Sequence, residues 1–186
     1  LNNMPFDGVF IDVGAHIGKY SLLIAKKYPR SLIIAIEPNP AAYSALRYSI
    51  KLNNLNNVYA FNLALTDNNG YARLFIKRWS VSSSIVEPEE ALKSILVISM
   101  RMDSLINKLR LKRIDLIKID VEGAELKVIK GAMKTISQFK PKLIIECRDE
   151  HYDEMIRLLE NMGYKCFMIE RDYYNKYSNL VCIHNA

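Results

Sequence analysis

The residue types best suited to binding a cofactor stand close together near the start of the chain. Asp12 follows an apolar run at residues 9–11, and Gly14 and Gly18 come next, four positions apart with His16 between them. An acidic residue at a strand end, followed by glycines and then helix-forming residues, predicts a turn that brings bare backbone against a ligand. In the fingerprint G-x-G-x-x-G the second glycine makes room for a pyrophosphate, but His16 holds that position. The turn therefore favours a nucleotide-like ligand without a pyrophosphate.

A second acidic residue, Glu37, follows the apolar run at residues 32–36 and stands nineteen positions after Gly18. A carboxylate at the end of the second strand of a Rossmann-type site accepts hydrogen bonds from the ribose hydroxyls. Ribose without pyrophosphate favours S-adenosylmethionine as the cofactor. The glycine pattern alone is weak evidence, because glycines after strands often serve close packing. Glu37 at this distance strengthens the cofactor interpretation.

A third group of polar residues contains three carboxylates, at Asp120, Glu122 and Glu125, around Gly123. It lies where a predicted strand meets a helix, and Glu146 ends the next predicted strand. Helix capping explains any one of these carboxylates, but it explains less well three of them beside a glycine. A carboxylate acts as a general base only if burial or a like charge raises its pKa. The crowding makes Asp120 or Glu122 the leading candidate base.

Other residues offer alternative roles. His16 is the rival base, since imidazole titrates near neutral pH, although a loop histidine commonly serves packing or hydrogen bonding. Asp120 and Glu146 could also bind Mg²⁺, which would lower the pKa of an acceptor hydroxyl. Two ligands are too few to predict a metal site. Trp79 either stacks on an acceptor ring or belongs to the core beneath the middle of the chain.

The order of apolar runs and helical patterns predicts the elements that position these residues. Strands alternate with helices, which indicates an α/β fold with a mainly parallel sheet and ligands at the carboxyl ends of its strands. The main strands are predicted at residues 9–13, 32–37, 58–62, 116–120 and 142–146. Short strands at residues 70–77, 81–86 and 95–100 interrupt the alternation and predict a substrate-facing insertion around residues 68–100. The last two strands, at 165–170 and 180–184, are too close for a helical crossover and should be antiparallel.

Length and composition suit a single domain over residues 1–186, of which 50% are hydrophobic. The sequence contains neither a basic-then-apolar leader nor an apolar run of the ~20 residues that span a bilayer, so we expect a soluble, cytoplasmic protein. The net charge of +6 allows an anionic partner. The basic cluster at Lys108, Arg110, Lys112 and Arg113 is more typical of a solvated connection than of a nucleic-acid site. The oligomeric state stays open.

The three cysteines, Cys147, Cys166 and Cys182, are odd in number, widely spaced and embedded in apolar runs. This pattern argues against a disulfide framework or a zinc cluster. We expect all three to be small core residues. A reactive thiol is a weaker alternative for Cys147, which lies between Glu146 and Arg148.

Several blocks, in the same order along nearly the whole chain, resemble the FkbM-type methyltransferase family. They are FIDVGAHIG at residues 10–18, IEPNP at 36–40, NLAL at 62–65 with Asp67, DSL at 103–105, and IKIDVEGAE at 117–125 with KGA at 130–132. The last long block is specific, whereas many methyltransferases share the glycine motif. The resemblance implies a Rossmann-like class I domain that transfers a methyl group from S-adenosylmethionine, commonly to a hydroxyl on a sugar, polyketide or other natural product.

The resemblance also implies roles for single residues. Gly14 and Gly18 would lie near the methionine portion of the cofactor, Glu37 would bind ribose, and residues 62–65, with Asn62 and Ala64, would lie beside adenine. Asp12 would order the glycine turn, and Asp120 could anchor the cofactor's amino group.

The chain departs from the family pattern at Arg148, where members often carry a histidine. Arginine stays charged at any working pH, so Arg148 suits an anionic acceptor better than proton removal, and Glu146 beside it is a second candidate acceptor contact. Three other functions stay open: an RNA-directed methyltransferase, a nicotinamide-dependent oxidoreductase, and a non-catalytic cofactor-binding module.

Overall fold

The computed structural model describes residues 7–77, 83–86, 91–174 and 176–185. Its strands are β1 (Val9–Val13), β2 (Leu32–Ile36), β3 (Val58–Phe61), β4 (Ala64–Leu65), β5 (Gly70–Lys77), β6 (Ser83–Ser84), β7 (Ala91–Met100), β8 (Leu116–Ile119), β9 (Lys142–Arg148), β10 (Tyr164–Asp172) and β11 (Tyr177–His184). Its helices are α1 (Lys19–Lys27), α2 (Pro40–Leu52), α3 (Met102–Leu109), α4 (Glu125–Gly131), α5 (Met133–Phe139) and α6 (Tyr152–Asn161), with a 3-10 turn at Asp149–His151.

Seven strands form the central sheet in the order β10-β11-β9-β8-β1-β2-β3. Neighbouring strands from β9 to β3 are parallel, and β11 runs antiparallel to both β9 and β10. The strand order reverses between β1 and β8, where α/β sheets of this kind bind their ligands. The predicted Rossmann-like fold with a reversed last strand is confirmed.

Helices cover both faces of the sheet, which explains why its strands are continuously apolar. Phe10 and Ile33 point to the face that carries α1 and α2, where they pack with the buried Leu46. Ile11 and Ile34 alternate with them and point to the opposite face, which carries α3 to α6. The carboxyl ends of β1, β2 and β8 are thereby held rigidly between two cores.

The helices differ from the predicted ones in two places. Helix α3 was not predicted, although Met102, Leu105 and Ile106 form a buried face along it. The helical spacing of Leu126, Ile129, Met133 and Ile136 predicts one helix, but the structure has two, α4 and α5, separated at Ala132. A continuous apolar period does not reveal such a break, because both halves bury the same face against the sheet.

The predicted insertion folds into a separate four-stranded sheet in the order β4-β7-β5-β6. Strand β7 is parallel to β4 and antiparallel to β5, and Ala64, Leu74 and Val97 form its small core. Of the strand expected at residues 81–86, the structure shows Ser83–Ser84 as β6 and a bend at residues 85–86, whereas residues 81–82 lie outside the described residues.

The prediction that no cysteines pair is wrong for two of the three. Cys166 and Cys182 stand opposite each other in the β10–β11 pair, with their Cα atoms 4.0 Å apart, and form a disulfide. Sequence spacing did not reveal the pair because it depends on the register of the two strands. Cys147 is a buried free thiol, as expected, and burial raises its pKa to about 12, which makes a reactive role unfavourable.

Within the described ranges, the helices are too short or too polar to cross a membrane. The cytoplasmic location and the assignment of residues 1–186 to one domain stay predictions.

Candidate functional site

A cavity of about 500 Å³ lies at the carboxyl ends of β1, β2 and β8. Its size suits a small-molecule or cofactor site. Polar side chains from the strand ends form one part of its wall, and Leu74 and Ile85 from the small sheet form another. The cavity therefore lies between the central sheet and the insertion. The predicted site residues that line it are Gly14, His16, Glu37, Ala64, Asp120 and Glu122.

The turn after β1 needs glycine at position 14 because other backbone atoms pack closely against it. Gly14 has a φ of 77°, and the N–H groups of Gly14 and Ala15 both donate to the carbonyl of Ile36 at 3.0 Å. A Cβ atom at Gly14 would lie 1.8 Å from the carbonyl oxygen of Asp120. Gly18, which begins α1 at a φ of 97°, packs against Leu46 and is not among the residues lining the cavity. The turn thus places His16 at the cavity and joins β1 to β8.

Glu37 is a buried carboxylate at the cavity wall, 5% exposed. Its Oε2 accepts a hydrogen bond from the backbone N–H of His16, and its Oε1 accepts one from that of Asn39, both at 2.8 Å. Burial raises the pKa of Glu37, and the two N–H donors oppose that shift. A carboxylate has about four acceptor positions, so Glu37 retains capacity for ligand hydroxyls.

Asn62 supports this wall without lining the cavity. Its Nδ2 donates to the carbonyls of Glu37 at 2.8 Å and Pro38 at 3.0 Å. The following residues, Leu63 and Ala64, do line the cavity and present an apolar surface. Asn62 therefore fixes the loop that carries Glu37, and its neighbours suit a flat apolar group such as an adenine ring.

Lys118 connects two of the predicted carboxylates, a role that sequence reasoning missed. Asp12 is 1% exposed, with Oδ2 accepting from Ser21 Oγ at 2.6 Å and Oδ1 3.7 Å from Lys118 Nζ. The same ammonium donates to Asp120 Oδ2 at 3.0 Å and lies 5.2 Å from the centre of the Tyr20 ring. Burial lowers the pKa of Lys118, but Asp12 and Asp120 outweigh it and raise the pKa.

The signal that could have found Lys118 is strand register. Asp12 and Lys118 are partners across the parallel pair of β1 and β8. A lysine inside an otherwise apolar buried strand needs a counter-charge, and the residue beside it supplies one. Burial raises the pKa of Asp12, and Lys118 opposes that shift. Asp12 therefore orders the site from within the core.

Glu125 holds the loop after β8 in place. Its Oε1 accepts from the backbone N–H groups of Gly123 at 2.8 Å and Val121 at 3.3 Å, and the side chain is fully buried. Burial raises the pKa of Glu125, and these donors oppose the shift. Glu125 is thus a structural carboxylate, whereas Glu122 in the same loop reaches the cavity.

Glu122 links the loop to two other parts of the fold. Its backbone has a φ of 58°, in the left-handed region that few side chains adopt. Its Oε2 accepts from the Tyr177 hydroxyl at 3.3 Å, and its carbonyl accepts from Ser84 Oγ of β6 at 2.8 Å. The small sheet is therefore tied directly to the acidic loop.

Asp120 and Glu146 form a carboxyl pair at the ends of neighbouring strands. Strands β8 and β9 pair through Ile119 and Ile145, so the residues that follow lie side by side. Burial, followed by the negative charge of Asp120 and a hydrogen bond to it, raises the pKa of Glu146 to about 8. This shift favours the protonated form of Glu146 near neutral pH, in which it can donate to Asp120.

Arg148 packs against the acidic loop. A Cβ atom on Gly123 would lie 2.7 Å from Arg148 Nε, and the guanidinium carbon is 5.5 Å from the centre of the Tyr177 ring. Its Nη1 is 3.8 Å from Glu150, and the side chain is 31% exposed. The predicted acceptor contacts of Glu146 and Arg148 stay predictions, and Trp79 lies outside the described residues.

Metal binding gains no support from the part of the chain that the structure describes. In that part, no three or more histidine, cysteine, aspartate or glutamate side chains are grouped as metal ligands would be. The acidic pair of Asp120 and Glu146 instead shares a hydrogen bond.

Comparison with known proteins gives one family match and several relatives. Residues 12–166 match the methyltransferase FkbM domain. Methyltransferase sdnD of Sordaria araneosa is 29% identical over 92% of this chain and 78% of its own length. The 2-O-methyltransferase NoeI of Sinorhizobium fredii is 29% identical over 71% of this chain and 60% of its own length.

Solved structures show the same fold. A methyltransferase FkbM from Methylobacillus flagellatus has a TM-score of 0.69 at 18% identity, covering 95% of this chain. This chain spans 44% of that protein. TYW2 of M. jannaschii, solved in complex with AdoMet, has a TM-score of 0.51 at 22% identity, covering 97% of this chain and 68% of that one.

Proposed function

The chain belongs to the FkbM methyltransferase family, and we propose that it transfers the methyl group of S-adenosylmethionine to a hydroxyl group of a sugar, glycan or other natural product. The resemblance noted in the sequence is confirmed, and the chain is a methyl-transferring enzyme. The cofactor, the hydroxyl acceptor and the residue roles are proposals.

The cavity supports S-adenosylmethionine by the chemistry of its wall. At one side, the buried Glu37 carboxylate retains acceptor capacity for two ribose hydroxyls. Next to it, Leu63 and Ala64 offer an apolar surface for the adenine ring. When bound, the cofactor supplies a methyl group activated by a sulfonium.

The single observation that carries this proposal is the position of Glu37. It ends β2 beside the strand-order reversal, it is buried, and it is fixed by two backbone N–H groups of the adjacent loops. Burial of this carboxylate is unfavourable, and the two backbone donors offset part of that cost while leaving acceptor positions for a ligand. The carboxylate at the end of the second strand is the one that contacts ribose in Rossmann-type sites.

Support for a hydroxyl acceptor comes from chemistry at the opposite side of the cavity. The proton of the hydroxyl must leave as the oxygen–carbon bond forms and the carbon–sulfur bond breaks. Asp120, Glu122 and His16 all line the cavity and can accept that proton. A relative, NoeI, carries the name 2-O-methyltransferase, which favours oxygen as the acceptor atom.

Asp120 is our preferred proton acceptor. Its carboxylate is held by the Lys118 ammonium at 3.0 Å, which fixes its orientation, and Glu146 hydrogen-bonds to it. Glu122, which accepts a hydrogen bond from the Tyr177 hydroxyl at 3.3 Å, is the alternative acceptor. Leu74 and Ile85 form the apolar side of the cavity. Positioning of the two reactants can supply much of the rate, because it removes the entropy of their encounter.

The first test is calorimetric titration of the purified chain with S-adenosylhomocysteine, with NADH as the parallel control. We expect binding of the homocysteine compound alone. Binding of neither compound, by a chain that unfolds cooperatively, would contradict the cofactor assignment, and preferential binding of NADH would replace it.

The second test is transfer of a labelled methyl group to acceptors. Sugars and hydroxylated natural products are expected to accept the label, whereas Asp120→Asn is expected to lower turnover at least ~100-fold while changing cofactor affinity less. Labelling of RNA alone would assign the acceptor to nucleic acid. Cofactor binding without labelling of any acceptor class would favour a non-catalytic module.

A further inference from the structure

A second cavity, of about 720 Å³, lies between α3 and α5. It lies on the face of the sheet opposite α1 and α2, and none of its lining residues lines the first cavity. We call it the basic groove, and its charged lining residues are Arg101, Asp103, Arg110, Lys112 and Lys134. The basic cluster singled out in the sequence contributes two of these cations.

The positive charge of the basic groove is largely uncompensated. Asp103 is its one carboxylate in the described chain, and it already accepts from Arg101 Nη2 at 3.2 Å and from Thr135 N and Oγ1 at 2.8 Å. Arg110, Lys112 and Lys134 have no carboxylate within 4.0 Å among the residues that the structure describes. Three exposed cations thus line one cavity without a carboxylate beside them in the described part of the chain.

The cations stand at two separate ends of the groove. Arg101 precedes α3 and shares Asp103 with the backbone N–H of Lys134, whereas Arg110 follows the last residue of α3. At 1.5 Å rise per residue, the backbones of Arg101 and Arg110 are roughly 13 Å apart. Anionic groups that are themselves separated can pair most directly with cations carried at both ends. The groove therefore suits a ligand with at least two separated anionic groups.

Between the two ends, the groove offers neutral hydrogen-bonding groups. Ser104 and Asn107 of α3 and Gln138 of α5 line it, and Phe139 and Leu111 supply apolar surface. Amides and hydroxyls match the hydroxyl groups of sugars. A nucleic-acid strand carries a charge on every nucleotide and is bound by several stacked aromatic rings, but Phe139 is the one aromatic residue among the described residues of the groove.

From the cations at its ends and the neutral polar residues between them, we infer that the basic groove binds an anionic oligosaccharide in which charged and neutral sugars alternate. The site is separate from the cavity of the proposed methyl transfer, and binding there does not require that proposal to hold. It gives the chain a way to hold a glycan independently of the cofactor.

The test is calorimetric titration of the full chain, at low salt, with a hyaluronan hexasaccharide, in which glucuronate and neutral N-acetylglucosamine alternate. The variant Arg110→Gln, Lys112→Gln, Lys134→Gln removes the uncompensated cations. The matched control Lys26→Gln, Arg30→Gln, Lys51→Gln removes three exposed cations carried by α1, α2 and the turn after α1. All these side chains are exposed, and thermal unfolding checks that both variants fold.

We expect the hexasaccharide to bind the unmodified chain, and the groove variant to weaken binding roughly tenfold or more. The control variant should stay within about twofold of the unmodified chain, and a neutral chitin oligosaccharide should not bind. Equal weakening in both variants would show that net charge alone causes the effect, and it would overturn the proposal. Absence of binding to the unmodified chain would also overturn it. Tighter binding of an oligothymidylate of equal charge would overturn it as well, and would identify the groove as a nucleic-acid site.

Discussion

At the residue scale, Glu37 is the side chain on which the proposed cofactor site depends most. Glu37→Gln keeps the size of the side chain but turns one acceptor oxygen into a donor facing a backbone N–H group. Hydrogen bonds to charged groups contribute about 1.5–3 kcal/mol, so we expect S-adenosylhomocysteine to bind at least ~10-fold more weakly in calorimetry. Glu160→Gln, on the exposed face of α6, is the matched control. Unchanged affinity in Glu37→Gln would contradict the ribose assignment.

Glu146 gives a prediction about pH. Its pKa is raised from 4.5 to about 8, so the folded chain holds a proton between those values that the unfolded chain releases. The stability that this proton contributes is complete below about pH 4.5 and is lost as pH rises through about 8. We therefore expect the free energy of unfolding to fall between pH 5 and pH 8.5, measured by urea denaturation.

The control for this prediction is Glu146→Gln, which cannot titrate but can still donate to Asp120. The fall in stability across that interval should become smaller in the variant. Asp120→Asn should shift the midpoint of the Glu146 titration to lower pH, because it removes the neighbouring negative charge. An identical pH profile in unmodified chain and Glu146→Gln would show that other groups cause the effect.

The sequence predicted which carboxylates line the cavity, but it did not predict all the residues that hold them in place. Glu37, Asp120 and Glu122 follow apolar strands, so strand ends place them at one edge of the sheet. The role of Lys118 was not predicted, because it depends on the register between β1 and β8, and hydrophobic periodicity does not reveal that register. The separate duties of Glu122 and Glu125 depend likewise on loop geometry.

At the element scale, the β10–β11 pair depends on a cross-link. The Cys166–Cys182 disulfide closes a loop with a sequence separation of 16 residues. A loop of that length gives about 3 kcal/mol of stabilisation by restricting the unfolded chain. We expect Cys166→Ser to lower the free energy of unfolding by about 2–3 kcal/mol in denaturant titrations.

Reduction provides the companion measurement. Dithiothreitol should bring the unmodified chain to the stability of Cys166→Ser and leave Cys166→Ser itself unchanged. Cys147→Ser is no substitute control, since Cys147 is fully buried in the core. Equal stability with and without reductant would mean that the two thiols do not pair in solution.

Secondary-structure elements were predicted where buried residues recur with a clear period in the sequence. They were missed where contacts between distant parts of the chain determine the structure. Strand β5 was predicted with its observed bounds, Gly70–Lys77, because turn residues flank it. The two-residue strand β4 was not predicted, since its pairing with β7 involves residues far along the chain. The break at Ala132 and the Cys166–Cys182 pair were missed for the same reason.

At the scale of the whole molecule, Gly14 joins the two halves of the sheet where the strand order reverses. Alanine at this position would combine a positive φ with a Cβ 1.8 Å from the Asp120 carbonyl oxygen. Gly14→Ala should cost about 2 kcal/mol more than Gly70→Ala, which has a φ of 140° and open space around its Cβ position. Thermal or urea unfolding of both variants measures the difference in stability. Equal losses of stability in the two variants would mean that the sheet relaxes around the added methyl group to remove the clash.

The contact between Gly14 and Asp120 has a consequence for how such an enzyme can diversify. The Gly14 turn at the proposed cofactor site packs directly against Asp120, the proposed proton acceptor, so we expect a shift of one to displace the other. The small sheet reaches that block through Leu74, Ile85 and the Ser84 hydrogen bond, and it is built from a separate stretch of chain. The small sheet can therefore change in sequence without altering the Gly14–Asp120 contact. We expect differences in acceptor preference among related enzymes to lie in the small sheet, and the residues proposed for methyl transfer to stay the same.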